Sequence, residues 1–139
     1  MIVLDTSVAF ALLRRGDDHH ERVLAWFETV DEPLATTPLA LTEIDHLLLH
    51  SGGPEVVRAW YEDLIAGAYA VEWWAAALAE TLSVAERNAS LPLGLADASL
   101  VALAARLGTT RIATLDERHF RIVKPLTGEP AFVLLPADA

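Results

Sequence analysis

The chain has no cysteine, one lysine (Lys124) and one methionine (Met1). Without thiols it can build no disulfide, no iron–sulfur cluster, no cysteine-ligated zinc site and no thiol nucleophile. A reducing cytoplasm is permitted by this rather than demonstrated, and it is the expected location. Cations are scarce: ten lysines and arginines face twenty aspartates and glutamates, for a net charge of −10. The basic surface that usually marks a nucleic-acid binder is therefore missing from the composition. Long apolar runs are missing too. Asp5, Arg14 and Arg15 interrupt the first hydrophobic stretch, and Glu72 interrupts the tryptophan-rich one. A membrane span needs about 18 nearly uncharged residues, so none is expected. No basic leader followed by an apolar run and a small-residue cleavage site opens the chain, so no signal peptide is expected. With 53% hydrophobic residues and no low-complexity tract, disorder is not expected either.

What is present suits one domain over residues 1–139, a length that buries roughly two-thirds of the unfolded surface. Met1-Ile2-Val3-Leu4 reads as a buried strand that stops at a capping segment, Asp5-Thr6-Ser7. Val8 to Arg15 reads as a short helix ended by Gly16. Asp17 and Asp18 are set to cap a second helix carrying Val23, Leu24, Phe27 and Val30 at helical spacing. Leu34–Thr36 reads as a strand. Thr37-Pro38 opens a helix that runs to about His50, with the hydroxyl as N-cap and proline in the first turn. Further helices are expected at about 54–66, 74–88 and 95–107, with strands at 69–73 and 111–114. Short edge strands are expected at 121–123 and 132–135. Strands alternating with helices predict an α/β fold, a parallel sheet covered on both faces.

The informative residues are carboxylates in costly places. Asp5 directly follows one apolar strand, and Asp116 follows another. Ligands of open parallel sheets bind outside the carboxyl ends of the strands. Taken singly, each acid has an equally ordinary explanation as a cap or turn residue. Asp97 lies three and four positions before Leu100 and Val101, on the apolar stripe of its helix, where an unpaired carboxylate would be desolvated. Glu43 shares a helical face with Ala40 and Leu47, although a solvated glutamate is the default for that position. Two like charges at about 4 Å repel by roughly 4 kcal/mol at an effective dielectric of about 20. Four acids brought together would need raised pKa values or a cation. With oxygen donors, no cysteine and no obvious histidine set, the cation would be Mg²⁺ or Mn²⁺. Such an ion activates water and neutralises a phosphoryl transition state.

These segments resemble a known family. Ile2-Val3-Leu4-Asp5-Thr6-Ser7, Glu43 in its helix, Leu95-Ala96-Asp97-Ala98-Ser99-Leu100-Val101 and Ile112-Ala113-Thr114-Leu115-Asp116-Glu117-Arg118-His119-Phe120 resemble the PIN-domain ribonucleases. Within these, the chain is similar to the VapC-type toxins of bacterial toxin–antitoxin pairs. The resemblance covers nearly the whole chain, with the Glu43 helix its weakest part. It implies a PIN-like fold, a small parallel sheet with helices on both faces. It further implies that Asp5, Glu43, Asp97 and Asp116 form one catalytic cleft, with Asp5 and Asp97 as direct ligands of Mg²⁺ or Mn²⁺. Glu43 and Asp116 would complete or orient the site and help position water, and the hydroxyls of Thr6 and Ser7 would brace it. The implied reaction is hydrolysis of an RNA phosphodiester bond. The implied partners are RNA, a cognate antitoxin protein and a second copy in a homodimer, with no membrane.

An acidic chain must still hold RNA. Arg111, Arg118, His119, Arg121 and Lys124 cluster late in the sequence, with Arg14 and Arg15 ending the first helix. Of these, Arg118 and His119 follow Asp116 and are the candidate RNA-binding pair, although solvated charges at helix ends would look the same. Few phosphate contacts would make affinity modest and its salt dependence shallow, leaving selectivity to RNA shape and single-stranded loops. His19-His20 reads as surface, His46 and His50 as a solvated helix face. Trp26, Trp60, Trp73 and Trp74 favour core or dimer contacts over base stacking. Two other readings stand beside this one. A non-catalytic interaction module would carry the acids as a solvated face and bind no specific ion. A phosphotransferase with an aspartyl nucleophile would want a second acid where Ser7 stands and a lysine near the site, whereas Lys124 is late.

Overall fold

In the computed structural model, which describes residues 1–139, five short strands form one wholly parallel sheet. They are β1 (Ile2–Leu4), β2 (Leu34–Thr36), β3 (Tyr69–Val71), β4 (Arg111–Ala113) and β5 (Val133–Leu135), in the spatial order β3-β2-β1-β4-β5. Val3 is the register point of the centre, opposite Ala35 on one side and Ile112 on the other. Alternation along β1 divides the core. Val3 joins Ile112 and Leu134 on one face, while Ile2 and Leu4 join Ala113 and Leu135 on the other.

Helices cover both faces. On the Ile2/Leu4 side lie α1 (Thr6–Leu13), α2 (His20–Phe27), α3 (Pro38–Ser51) and α4 (Pro54–Ile65), which bury Val8, Val23, Ile44, Leu48 and Trp60. On the Val3 side lie α5 (Ala77–Arg87) and α6 (Leu95–Leu107), packed on each other through Val84, Leu100 and Leu103. The alternating βα pattern thus gives the α/β architecture expected from the sequence, with helices on both faces. Local signals set most ends. Thr37 Oγ1 accepts from the Ala40 N–H at 3.3 Å, with Pro38 in the first turn, as the sequence predicts. Gly108 ends α6 at φ +65, a left-handed conformation that favours glycine.

Some boundaries differ from the expectation. The strand expected at 69–73 stops at Val71, and the helix expected from Trp74 starts at Ala77. Neither Asp17 nor Asp18 is the N-cap of α2. Asp17 instead accepts from the His19 N–H at 2.8 Å and shapes the turn before the helix. The edge strand expected at Arg121–Val123 does not form. These residues continue a four-residue helix, α7 (Glu117–Phe120), and the N–H groups of Ile122 and Val123 both donate to the His119 carbonyl. Phe120 and Val123 are buried while Ile122 is exposed, so the apolar spacing that reads as a strand is that of a tight turn. Arg121 fixes it, donating through both terminal nitrogens to Asp138 at 2.7 Å and to Glu117 at 3.0 Å.

Two fully buried side chains, Trp60 through Nε1 and Thr81 on α5 through Oγ1, hold a polar atom without a hydrogen-bond partner. A buried polar group left unpaired costs about 1–3 kcal/mol. Thr81→Val keeps the β-branched shape and removes that penalty. We expect it to stabilise the protein by about 1 kcal/mol, a rise in midpoint of roughly 3 °C by differential scanning calorimetry; a fall of that size would show that the hydroxyl is satisfied in solution.

Candidate active site

The site lies where the sheet's carboxyl ends meet the first turns of the helices. Asp5 follows β1 and caps α1, and it is almost fully buried. Its Oδ2 accepts three bonds: from Ser7 Oγ at 2.5 Å, from Thr114 Oγ1 at 2.8 Å and, more weakly, from the Ser7 N–H at 3.4 Å. The two hydroxyls do further service. Ser7 Oγ accepts from the Leu115 N–H, and Thr114 Oγ1 accepts from the Asp116 N–H, both at 2.9 Å. The loop after β4 is thereby tied to the end of β1, and Asp116 is placed at the head of α7.

Asp97 stands in the first turn of α6, behind Gly94. A second pair of hydroxyls locks this helix to α3. Ser99 Oγ gives its proton to the Ala96 carbonyl at 2.6 Å, so Thr37 is the donor in the 2.7 Å contact between Thr37 and Ser99. Glu43, one turn further along α3, is exposed at the mouth, and its Oε2 accepts from Thr6 Oγ1 at 3.3 Å. His119 closes the group. Its Nδ1 is 3.2 Å from Asp97 Oδ2 and 3.3 Å from Asp116 Oδ2.

The four acids predicted from the sequence therefore line one cleft of about 390 Å³, together with Thr6, Ser7, Leu47, Gly94 and Ala96. With His119 beside the cleft, Asp97 and Asp116 form a donor set whose ligand atoms all lie within 4.8 Å of one another. Asp5 stands just outside that set, coupled to Asp97 by charge. Burial raises the Asp5 carboxyl above its usual range, against the opposing pull of the Ser7 and Thr114 hydroxyls. Asp97 is pushed up to about 6, first by burial and then by the negative charge of Asp5, with His119 working in the opposite direction. Carboxylate oxygens with one imidazole, in a pocket already short of positive charge, form a donor set suited to a hard divalent cation.

Two functional features escape the sequence. Thr114 reads there as the last residue of a strand, and nothing local shows that its hydroxyl reaches Asp5, 109 positions away. His119, expected beside Arg118 as an RNA contact, lies between two acids, while Arg118 is exposed on the rim. The other late cations are largely engaged: Arg111 pairs with Glu32, and Arg121 with Glu117 and Asp138.

Fold and cleft together define an α/β protein with an acidic centre at the carboxyl edge of a parallel sheet. The PIN domain model matches residues 2–125, and the chain belongs to that family. The chain is 28% identical to Ribonuclease VapC26 of Mycobacterium tuberculosis over 136 residues, 97% of this chain and 100% of that protein. Among solved structures it is similar to Mycobacterium tuberculosis VapC20, described as a sarcin–ricin loop cleaving toxin. That likeness has a TM-score of 0.78 and 21% identity, over 85% of this chain and 92% of that one. It is also similar to FitAcB from Neisseria gonorrhoeae, with a TM-score of 0.57 and 25% identity, over 84% and 88% of the two chains.

The raised Asp97 pKa has a consequence for stability. A carboxyl whose folded value lies above its unfolded value of 3.8 holds its proton more tightly when folded. Its ionised form therefore weakens the fold progressively between pH 4 and about 6, and fully above that. In metal-free protein we expect Asp97→Asn to raise stability at pH 8 by about 1–3 kcal/mol. The gain should shrink below pH 5. Urea unfolding at the two pH values checks this, and a gain independent of pH would count against it.

Proposed function

We propose that the protein is a divalent-metal-dependent endoribonuclease, the toxin of a toxin–antitoxin pair, acting in the cytoplasm. The observation that supports this reading most is the convergence of Asp5, Glu43, Asp97 and Asp116, from four separate elements, on one cleft. The 28% likeness along the full length of a curated VapC ribonuclease points the same way. We assign Asp97 and Asp5 as metal ligands, with Asp116 and His119 beside them. When bound, Mg²⁺ or Mn²⁺ would neutralise charge on the scissile phosphate and make water a better nucleophile.

The chain's own residues supply the rest. Asp5 Oδ2 is saturated by hydroxyls, which leaves Oδ1 for the cleft and fixes the angle at which it is presented. His119 holds Asp97 and Asp116 apart from free rotation. Glu43, exposed and oriented by Thr6, stands where it can align a water molecule and accept its proton as the water attacks phosphorus. The P–O bond to the leaving ribose oxygen then breaks, and that oxygen takes a proton from solvent. A purely adhesive module of this fold would have no use for buried acids with raised pKa values. RNA and an antitoxin are the partners we assign. The antitoxin would lay a cationic side chain against the same acids, and a homodimer is the expected assembly.

Purified protein should cleave structured RNA, a stem-loop of the sarcin–ricin type being the first to try, with Mg²⁺ or Mn²⁺ and not with EDTA. Asp97→Asn should slow cleavage at least about 100-fold, the usual scale for losing one preorganised charge contact. Equal rates for the two proteins, read on denaturing gels, would sink the assignment.

A further inference from the structure

The largest cavity of the molecule is not the acidic cleft but its neighbour. It is a depression of about 630 Å³, wide open to solvent, and shares Ser7, Leu47 and Asp116 with the cleft. Its remaining walls are of another kind. Phe10 and Leu115 are apolar, His19 is an exposed imidazole, and Arg118 is a cation that makes no ion pair. Arg14, also without an acidic partner, holds its guanidinium 5.6 Å from the centre of the Phe10 ring. Asp17 adds an acceptor. Its Oδ1 is used by the His19 N–H at 2.8 Å, which fixes the turn carrying both side chains, and its Oδ2 takes no bond. Glu117, the other acid of the wall, already shares its charge with Arg121.

We propose that this cavity is a base subsite: it receives one unpaired, amino-bearing base of the RNA, on a nucleotide adjoining the phosphate in the acidic cleft. This rests on the ribonuclease reading and deepens it. The chemistry follows from the walls. The exposed His19 ring offers a face to a base, the usual way proteins hold single-stranded RNA, and half-buried Phe10, with Arg14 over its ring, offers an apolar wall beside it. Arg118 offers a free guanidinium to the flanking phosphate. The free carboxylate oxygen of Asp17 selects a base edge with a donor. Cytosine offers its N4 amino group to such an acceptor, whereas uracil presents a carbonyl at that position and would be repelled. Arg111 and Arg121 cannot take the phosphate role, because their charges are committed to Glu32, Glu117 and Asp138. In a chain of net charge −10, the two free arginines beside Phe10 are the cations positioned to guide RNA toward the acids.

Cytosine and uracil are nearly equal in size and differ in this donor, so they make the test. Binding of short fluorescent oligocytidylate and oligouridylate to the full-length protein in EDTA should favour cytidylate about tenfold. Asp17→Asn, which keeps an acceptor for the His19 N–H, should abolish the preference. Phe10→Leu and Arg118→Ala should each weaken both oligonucleotides about tenfold. Arg118 is exposed, so its variant keeps the test standing if Phe10→Leu fails to fold. Equal binding of both oligonucleotides, or a preference that survives Asp17→Asn, would overturn the subsite. A parallel metal-dependent cleavage assay separates the two readings. Cleavage that none of the three variants alters leaves the nuclease and removes the subsite; cytidylate-selective binding without cleavage in Mg²⁺ or Mn²⁺ leaves the subsite and removes the nuclease.

Discussion

Asp5 Oδ2 receives the hydroxyl protons of Ser7 and Thr114, and those same two hydroxyls receive the N–H groups of Leu115 and Asp116. One buried oxygen thus joins the ends of β1 and β4, the first turn of α1 and the loop that carries Asp116. Burial favours the protonated acid and sets the net upward direction; the Ser7 and Thr114 hydroxyls pull the other way, toward the ionised form. Because Asp116 heads α7, and α7 carries His119, the position of the imidazole also descends from this oxygen. Loss of either hydroxyl would therefore disturb two acids and a histidine as well as one hydrogen bond.

The distribution of cations follows from the same economy of charge. Arg111 answers Glu32 and Arg121 answers Asp138 and Glu117, while Arg106 lies over the Trp74 ring. These contacts tie β4 to the segment before β2, α6 to Trp74, and the turn after α7 to the C-terminal residues. They also spend most of the positive charge in that region on the fold. What is left beside the cleft is Arg118 and Arg14, on the side where Phe10 and His19 stand. A polyanion at the proposed subsite would meet these two cations on one side of the acids. Directionality of this kind comes from where the cations are missing as much as from where they are.

The sequence revealed those parts of the site whose local and long-range roles coincide. Asp5 after an apolar strand, Thr37 before Pro38 and the apolar stripe of α6 all carry their signal within a few residues, and the structure places them accordingly. Glu43 was harder, because a helical glutamate is ordinarily solvated; its setting depends on Thr6, 37 positions away. The role of Thr114 is hidden for the same reason on a longer scale, since its partner Asp5 lies 109 positions away. The helix α7 is too short to show a period, so Arg121-Ile122-Val123 read as a strand although its N–H groups close a turn. His119 follows directly from α7: without that helix its ring has no reason to face Asp97. Convergence itself is a property of the sheet order, which brings β1 beside β4 across more than a hundred residues.

Asp97 shows why these acids stay where they are. Its carboxyl is raised to about 6 by burial and by Asp5, so in the absence of a cation the ionised site works against folding. The acids are held in place by hydrogen bonds: α6 is tied to the start of α3 through Ser99 and Thr37, and Asp5 is tied by the Ser7 and Thr114 hydroxyls. The repulsion therefore falls as Asp97 takes up a proton, or as other positive charge comes against the acids. A divalent ion would do this, and so would an arginine from a partner protein. Under the proposed function these two occupants lower the same energy and exclude one another. On that reading, inhibition by a cationic side chain would require no conformational change: the charge that would draw a metal ion into the cleft would also draw a partner's cation.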